Sequence, residues 1–398
     1  MTTLILTEEE QALRDSVRRF AAERSPIART RELIAAGQPH DPEVWKQMTV
    51  QLGLAGLLIP EEYGGAGAGH SAMSVVLTEL GAGLVPSPLI ASAVLAAGVL
   101  LRLDDEAAKR DLLPGIASGE LIATLALTGD PDSVAVARPA DGEARPTDGE
   151  ARPTDGEVRP NGEVRPNGEV RPDGEVRLSE EVRLNGELSP VLNGAQADVL
   201  LVPAGGAVCL VRAGADGLTN EPLPAVDHTR ALATIRLDGT PARALAGDAA
   251  GALSAAADLA NVALASEQCG GMAACLAMTT EYAKLRMAFG LPIGAFQAVK
   301  HRLADMETAW ELAHAALRSA ARSADEEPGS FSAAASAARV LASPAYFRAA
   351  ADTIQLHGGI GFTWEHDAHL YYKNALSDRV LFGDPGNQLD RLATTLGN

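Results

Sequence analysis

Residues 283–306, AKLRMAFGLPIGAFQAVKHRLADM, decide how this chain is read. They join the end of one long alanine-rich helical pattern to the start of another, through the break Gly290-Leu-Pro-Ile-Gly294. Arg286 and Phe289 stand just before that break, Phe296 and Gln297 just after it. Polar and aromatic groups fixed at two facing helix ends suit a large, flat, charged ligand better than they suit a core. The competing reading makes Arg286 a solvated partner of the helix C-terminal dipole and Gln297 a surface amide. Spacing alone leaves both open.

Outward from this junction the chain after Thr240-Pro241 is helical. One pattern covers residues 251–286, a second 295 to about 326, a third 330–357 and a fourth the tail, which together make an antiparallel four-helix bundle. Gln355-Leu-His-Gly-Gly-Ile-Gly-Phe362 closes the third pattern, with Gly358 and Gly359 in C-cap positions. Upstream, from about residue 121, the pattern is β: LIATLAL, SVAVAR, ADVLLVPA, AVCLVRA and RALATIRLDG are short apolar runs separated by Gly, Pro, Asn or Asp. Further upstream the chain is helical again. Thr7-Glu-Glu-Glu10 has the form of a capping box, with Leu13, Val17 and Phe20 following on one face. Asp41-Pro42 opens a second helix that stops at Gly53, and after the loop Pro60-Glu-Glu-Tyr-Gly-Gly65 helical patterns run from 71 to about 103, broken at Pro86-Ser-Pro88. The expected architecture is α+β and multidomain: an N-terminal helical domain over 1–120, a small β-barrel or sandwich over 121–243, and a four-helix bundle over 244–398.

The β region contains an internal repeat. DGEARPT occurs twice from Asp141, followed by DGEVRP, NGEVRP, NGEVRP, DGEVRL, the degenerate SEEVRL and finally NGEL. The unit is too short and polar to hide a core, and a Pro in most copies argues against a regular ladder. Residues from 141 to about 183 are therefore expected to be an irregular insertion grown by duplication of a hairpin.

Composition sets outer limits. A chain of 398 residues with 46% hydrophobic residues can bury a large core in two or three domains. Its net charge of −19 argues against nucleic acid, whose phosphates need clustered Lys and Arg. Cys209, Cys269 and Cys275 are odd in number, with no pair at metal-ligand spacing, and read as buried thiols in a reducing compartment. MTTLILTEEEQ has no basic region or cleavage site, and no later segment is expected to span a membrane, so a cytoplasmic protein is expected.

The order R-x-x-F-G, then P-I-x-x-F-Q-x-V-x-H-x-L-A-D-M, resembles the junction motif of the flavin-dependent acyl-CoA dehydrogenases. LTEEEQALRDSVRRFAAE, GLAGLLIPEEYGGAGAG and the Gln355 glycine motif resemble the same family, so the likeness covers nearly the whole chain outside the repeat. The resemblance implies FAD held between subunits of a tetramer, an acyl-CoA substrate and an electron-accepting flavoprotein. It also implies desaturation: a carboxylate removes the α-proton of the thioester while the β-hydrogen leaves as hydride to flavin N5. Arg286, Phe289, Gln297, Gln355, Gly358 and Gly359 match positions that reach a neighbouring subunit's FAD on its adenosine side.

The flavin side matches less well. Thr128 fits the family's T-E-P-x-x-G-S-D, and Ser133 fits it loosely as a substrate contact. The family's flavin-stacking Trp is Pro190 here and its hydrogen-bonding Thr is Leu192. The base, a Glu in a Y-E-G-T loop in most members, falls in Phe382-Gly-Asp-Pro-Gly386, where Asp384 is the candidate. A second group of members, like isovaleryl-CoA dehydrogenase, carries the base 26 residues before the junction Arg, and that position is Ala260. Asp258 lies about 200° round the helix from it and Glu267 about two turns along, so neither is a simple substitute. Two readings follow: a self-sufficient homotetrameric dehydrogenase with Asp384 as base, or a non-catalytic subunit that completes the adenosine half of a site shared with a second family chain. Some bacterial members of the family resemble the latter arrangement and act on bulky substrates such as steroid side-chain thioesters.

Overall fold

A computed structural model describes residues 5–128, 134–137, 181–395 and 397. Ser133 and nearly all of the repeat insertion lie outside them. The N-terminal part is helical: α1 (Glu8–Arg24), α2 (Ile27–Ala36), α3 (Pro42–Val50), α4 (Gly69–Ala82), a π-helical stretch Ile90–Ala96 running into α5 (Ala97–Arg102), and α6 (Glu106–Ser118). The capping box at α1 is formed on both sides. Thr7 Oγ1 accepts from Glu10 N at 3.1 Å, and Thr7 N donates to Glu10 Oε2 at 2.8 Å. Asp41 caps α3 and Pro42 occupies its first turn. The sequence pattern omits α2, so the helix opened by Asp41-Pro42 is the third and not the second.

The middle of the chain is one curled, seven-stranded sheet, made of β1 (Ala123–Leu125), β2 (Val134–Ala137), β3 (Glu181–Leu192), β4 (Val199–Ala204), β5 (Ala207–Arg212), β6 (Leu218–Pro222) and β7 (Leu232–Ala244). Its order is β1-β4-β5-β7-β3-β2, with β6 also paired to β7. β1 and β4 are parallel, and the remaining pairs are antiparallel. Thr124 Oγ1 donates to Leu192 O at 2.5 Å, which ties the edge strand β1 back to β3 and curls the sheet towards a half-barrel. The degenerate repeat copy is part of this sheet, because Glu181 stands opposite Arg243 and Arg183 opposite both Ala137 and Pro241.

The C-terminal part is a bundle of α7 (Ala249–Leu285), α8 (Gln297–Glu326), α9 (Pro328–His357), α10 (Ala368–Val380) and α11 (Pro385–Thr395). The fourth helix expected from the sequence is thus two helices, divided at Phe382 (φ +58°) and Gly383 (φ +100°). By length and composition α7 could cross a membrane, contrary to the sequence expectation. Its most apolar stretch is 67% buried within the fold, as suits a core helix. It is apolar all round because α4, α8 and α9 pack on it. Close approach to α4 needs glycine: a Cβ on Gly270 would lie 1.9 Å from Thr78 O. One apolar core joins the N-terminal helices to the bundle and a second fills the sheet, and the three cysteines are buried in them as free thiols.

Candidate functional site

The junction read from the sequence is a small β-hairpin. Helix α7 ends at Leu285, Arg286 N closes its last turn on Tyr282 O at 2.8 Å, and strands β8 (Met287–Ala288) and β9 (Leu291–Pro292) follow before α8 begins at Gln297. The hairpin turn is Phe289-Gly290, with φ of +52° and +78°. Both signs match a type I′ turn, whose first position normally takes Asn, Asp or Gly. A phenylalanine there is strained, and Phe289 is also 96% exposed. Its only ring partner among the described residues is Phe296, edge-on at 6.3 Å. Arg286 and Gln297 are exposed beside it.

The glycine motif lies at the same end of the bundle. Tyr282 of α7 stacks on His357, the last residue of α9, at 4.3 Å, and its hydroxyl donates to His357 O at 3.3 Å. Gln355, Gly358 and Gly359 are exposed just above this stack. Gly358 has φ +63° and ψ −141°, a conformation that only glycine adopts easily. Gly359 has no such conformation, and a Cβ built on it meets nothing within 4 Å. Among the described residues nothing requires glycine at 359.

The same turn sits on a cluster that sequence reasoning missed. His357 packs on His366 at 4.3 Å, Trp364 stands edge-on to His369 at 4.6 Å, and the Lys373 ammonium lies 4.1 Å over the Trp364 ring. Burial lowers the pKa of His357 and His366, and burial together with Lys373 and Arg31 lowers that of His369 to about 4. Phe362 and Trp364 remain exposed, as do Met287 and Leu291 on the hairpin. Such apolar exposure at one end of a bundle marks a contact surface. The density of aromatic and His residues in Phe362-Thr-Trp-Glu-His366 was the available signal.

The other half of the expected site is closed. Thr128 lies half-buried three residues beyond the end of β1, and Leu192 is buried, 3% exposed, under the helices. Beside Leu192, the crevice between β3, the segment 229–231, the end of α4 and Glu267 has a volume of about 20 Å³. That is room for a single water. The groove between the π-helical stretch and α7, lined by Val94, Leu259 and Ala263, holds about 10 Å³. Beneath the crevice Arg230 makes ion pairs with both Glu267 and Asp378. Burial opposes its charge, but the two carboxylates hold it protonated.

Residues 7–120 match the acyl-CoA dehydrogenase N-terminal domain, and residues 250–397 match the acyl-CoA dehydrogenase C-terminal domain. The chain belongs to the acyl-CoA dehydrogenase family. It is 34% identical over 385 residues to the acyl-CoA dehydrogenase IpdE2 of Mycobacterium tuberculosis, covering 97% of this chain and 96% of that one. Among solved structures it resembles the ChsE4-ChsE5 complex from Mycobacterium tuberculosis, with 27% identity, coverage of 100% and 99%, and a TM-score of 0.82. It also resembles a variant of the Tcur3481-Tcur3483 steroid ACAD, with 27% identity, coverage of 99% and 98%, and a TM-score of 0.80.

Within this acyl-CoA dehydrogenase fold the carboxylates weighed as bases all have other partners. Asp384 is exposed, and its Oδ1 accepts from Asn387 N at 3.0 Å, capping the first turn of α11. Asp258 pairs with Arg391 at 2.9 Å and accepts from Ser332 Oγ at 3.2 Å, while burial raises its pKa. Glu267 is held by Arg230, and Ala260 is fully buried with no polar side-chain atom to offer. Asn374, in the segment Lys373-Asn-Ala375 that departs from the family's R-D-A, is tied into the core by Tyr346 and Asp227. The structure therefore brings together Arg286, Phe289, Gln297, Gln355, Gly358 and Gly359 at one end. It leaves Thr128 and Asp384 apart from them, and Ser133 outside the described residues.

Proposed function

We propose that this chain is the non-catalytic member of a two-chain acyl-CoA dehydrogenase. It presents the α7–α8 hairpin and the Gly358-Gly359 turn to the adenosine side of an FAD whose flavin ring lies in a second family chain. Gly359 carries this reading: it is small where its own chain leaves open space, beside an exposed Phe289 held in a strained turn. The adenosine-side residues fit their part of FAD. A planar ring can rest on Phe289, Arg286 offers charge to a diphosphate, and glycine backbone admits close approach. The flavin-side residues do not fit, since Leu192 and Pro190 offer neither the hydroxyl donor nor the stacking ring, and the crevice beside Leu192 has room for one water.

In the assembled enzyme FAD would supply the hydride acceptor for α,β-desaturation of an acyl-CoA thioester. The base would come from the second chain. This chain would contribute anchoring charge, an aromatic platform and exclusion of water at the adenosine end. The kinship with the ChsE4-ChsE5 complex and the Tcur3481-Tcur3483 steroid ACAD, each named for two chains, supports a heteromeric assembly and a steroid side-chain thioester as substrate class. An electron-accepting flavoprotein would reoxidise the flavin. Co-expression with a second family chain that has the Trp, Thr and Glu tests the reading. Flavin that copurifies only with the pair supports it, and flavin bound by this chain alone overturns it.

A further inference from the structure

Well away from the adenosine end, the helices line a half-open cavity of about 560 Å³ bounded by α1, α4, α7 and α8. This is within the range of small-molecule sites, roughly 300–1,000 Å³. Gly270, on its wall, lies 16 residues before Arg286 on α7, so the cavity is about 24 Å along the helix from the junction. It exists because small residues from three helices face one another: Ala21 and Ala22 on α1, Ala82 on α4, Ala273 and Ala274 on α7. Larger apolar side chains, Trp310 and Leu317 among them, close its sides.

Its polar groups are few and directional. Arg318, on α8, is 2% exposed and borders the cavity. Its Nη2 donates to both carboxylate oxygens of Glu10 at 2.8 Å, yet its Nε, also buried, has no hydrogen-bond partner among the described residues. A buried guanidinium N–H left unpaired calls for an acceptor. His314 lies one turn away, stacked on Trp310 at 5.1 Å, and burial keeps it neutral near pH 7, able to accept or donate. Arg14 and Arg18 also stand on the wall, and each is paired with a carboxylate of its own, Arg14 with Asp15 at 2.9 Å and Arg18 with Glu79 at 2.8 Å. Among the described residues this leaves the Arg318 Nε–H as the spare charged donor for an incoming oxygen.

We infer that this cavity binds an apolar molecule ending in a carboxylate, with the oxygen end towards Arg318 and His314 and the apolar body along the Ala/Gly walls of α4 and α7. The cavity uses none of the residues assigned to the FAD surface, so the inference stands independently of the proposed function.

Isothermal titration calorimetry of the full chain with dodecanoic acid and dodecan-1-ol, below their aggregation limits, tests it. The acid should saturate a single site, bind at least about tenfold tighter than the alcohol and change Trp310 fluorescence. The Ala273→Leu/Ala274→Leu double variant fills the space and should abolish binding with an unchanged circular dichroism spectrum. Should that variant fold poorly, the single Ala274→Leu is expected to weaken binding by about tenfold or more. No saturable heat with the acid, or equal binding by the filled and wild-type proteins, overturns the site. Equal affinity for acid and alcohol overturns the carboxylate assignment.

Discussion

At one end of the bundle Phe289 stands 96% exposed on a strained turn and Gly359 faces open space, whereas Leu192, the last residue of β3, is buried beside a crevice of about 20 Å³. In the proposed function these two regions are the two halves of a single cofactor site. One is polar, aromatic and open, with costs that its own chain does not recover. The other is filled, and there Arg230 pairs with both Glu267 and Asp378. Strain and exposure that persist without an internal purpose point to an external partner, and a filled crevice points to loss of one.

The contrast can be broken most forcibly at Arg230. If the flavin side is now purely structural, Arg230→Ala leaves Glu267 and the fully buried Asp378 without their cation, and unfolding free energy should fall by about 3–5 kcal/mol in urea titrations. Arg236→Ala, which removes exposed pairs to Glu187 and Glu221, should cost under about 1 kcal/mol. A small effect at Arg230 would mean that the cluster does not hold this region. At the open end the effect should appear in binding alone. A Cβ at 359 meets no described atom within 4 Å, so the melting temperature of Gly359→Ala should barely move, yet FAD retention by the two-chain complex should drop by about 100-fold, ~2.7 kcal/mol. Unaltered FAD affinity would remove the glycine from the account.

Acid should loosen the open end. His369 titrates at about 4 when folded, against about 6.5 unfolded, because burial and then Lys373 and Arg31 oppose its charge. A depressed folded value means the unfolded chain takes the proton first. The stability is therefore complete above pH 6.5 and is lost as pH falls from there towards 4, by about 2 kcal/mol from this residue. His369→Phe should flatten that slope, and an unchanged slope would place the acid sensitivity elsewhere. The smallest effect should be at Asp384. Asp384→Ala should cost about 1 kcal/mol as a lost helix cap, and Asp384→Asn close to nothing, since Asn caps equally well. Neither should alter turnover by the two-chain complex, and turnover abolished by Asp384→Asn would restore the residue as a base.

Much of this was legible where local chemistry decides structure. The Thr7–Glu10 box, Pro42 in the first turn of α3 and the short apolar runs of β4, β5 and β7 need only neighbouring residues to explain them. What escaped the sequence depends on distant partners. Helix α2 follows Pro26 with no side-chain cap and buries only Thr30 and Leu33. Strand β6, Leu218-Thr-Asn-Glu-Pro222, is polar and exists through its pairing with β7. The divided tail depends on a positive φ at Phe382, a residue that does not favour it. In the candidate site, the residues of the open end were readable from their motifs, but the Arg230–Asp378 pair links positions 148 apart. The cavity at Arg318 arises only when alanines from three helices meet.

The central claim is that this chain completes a flavin site it does not itself contain. The most direct measurement is the flavin spectrum and FAD-to-protein ratio of the chain purified alone and again after co-expression with a second family chain. The account predicts a colourless chain alone and a yellow, equimolar FAD complex of the pair that an acyl-CoA thioester bleaches. A stoichiometric amount of FAD in the chain alone, bleached by the same thioester, would contradict it.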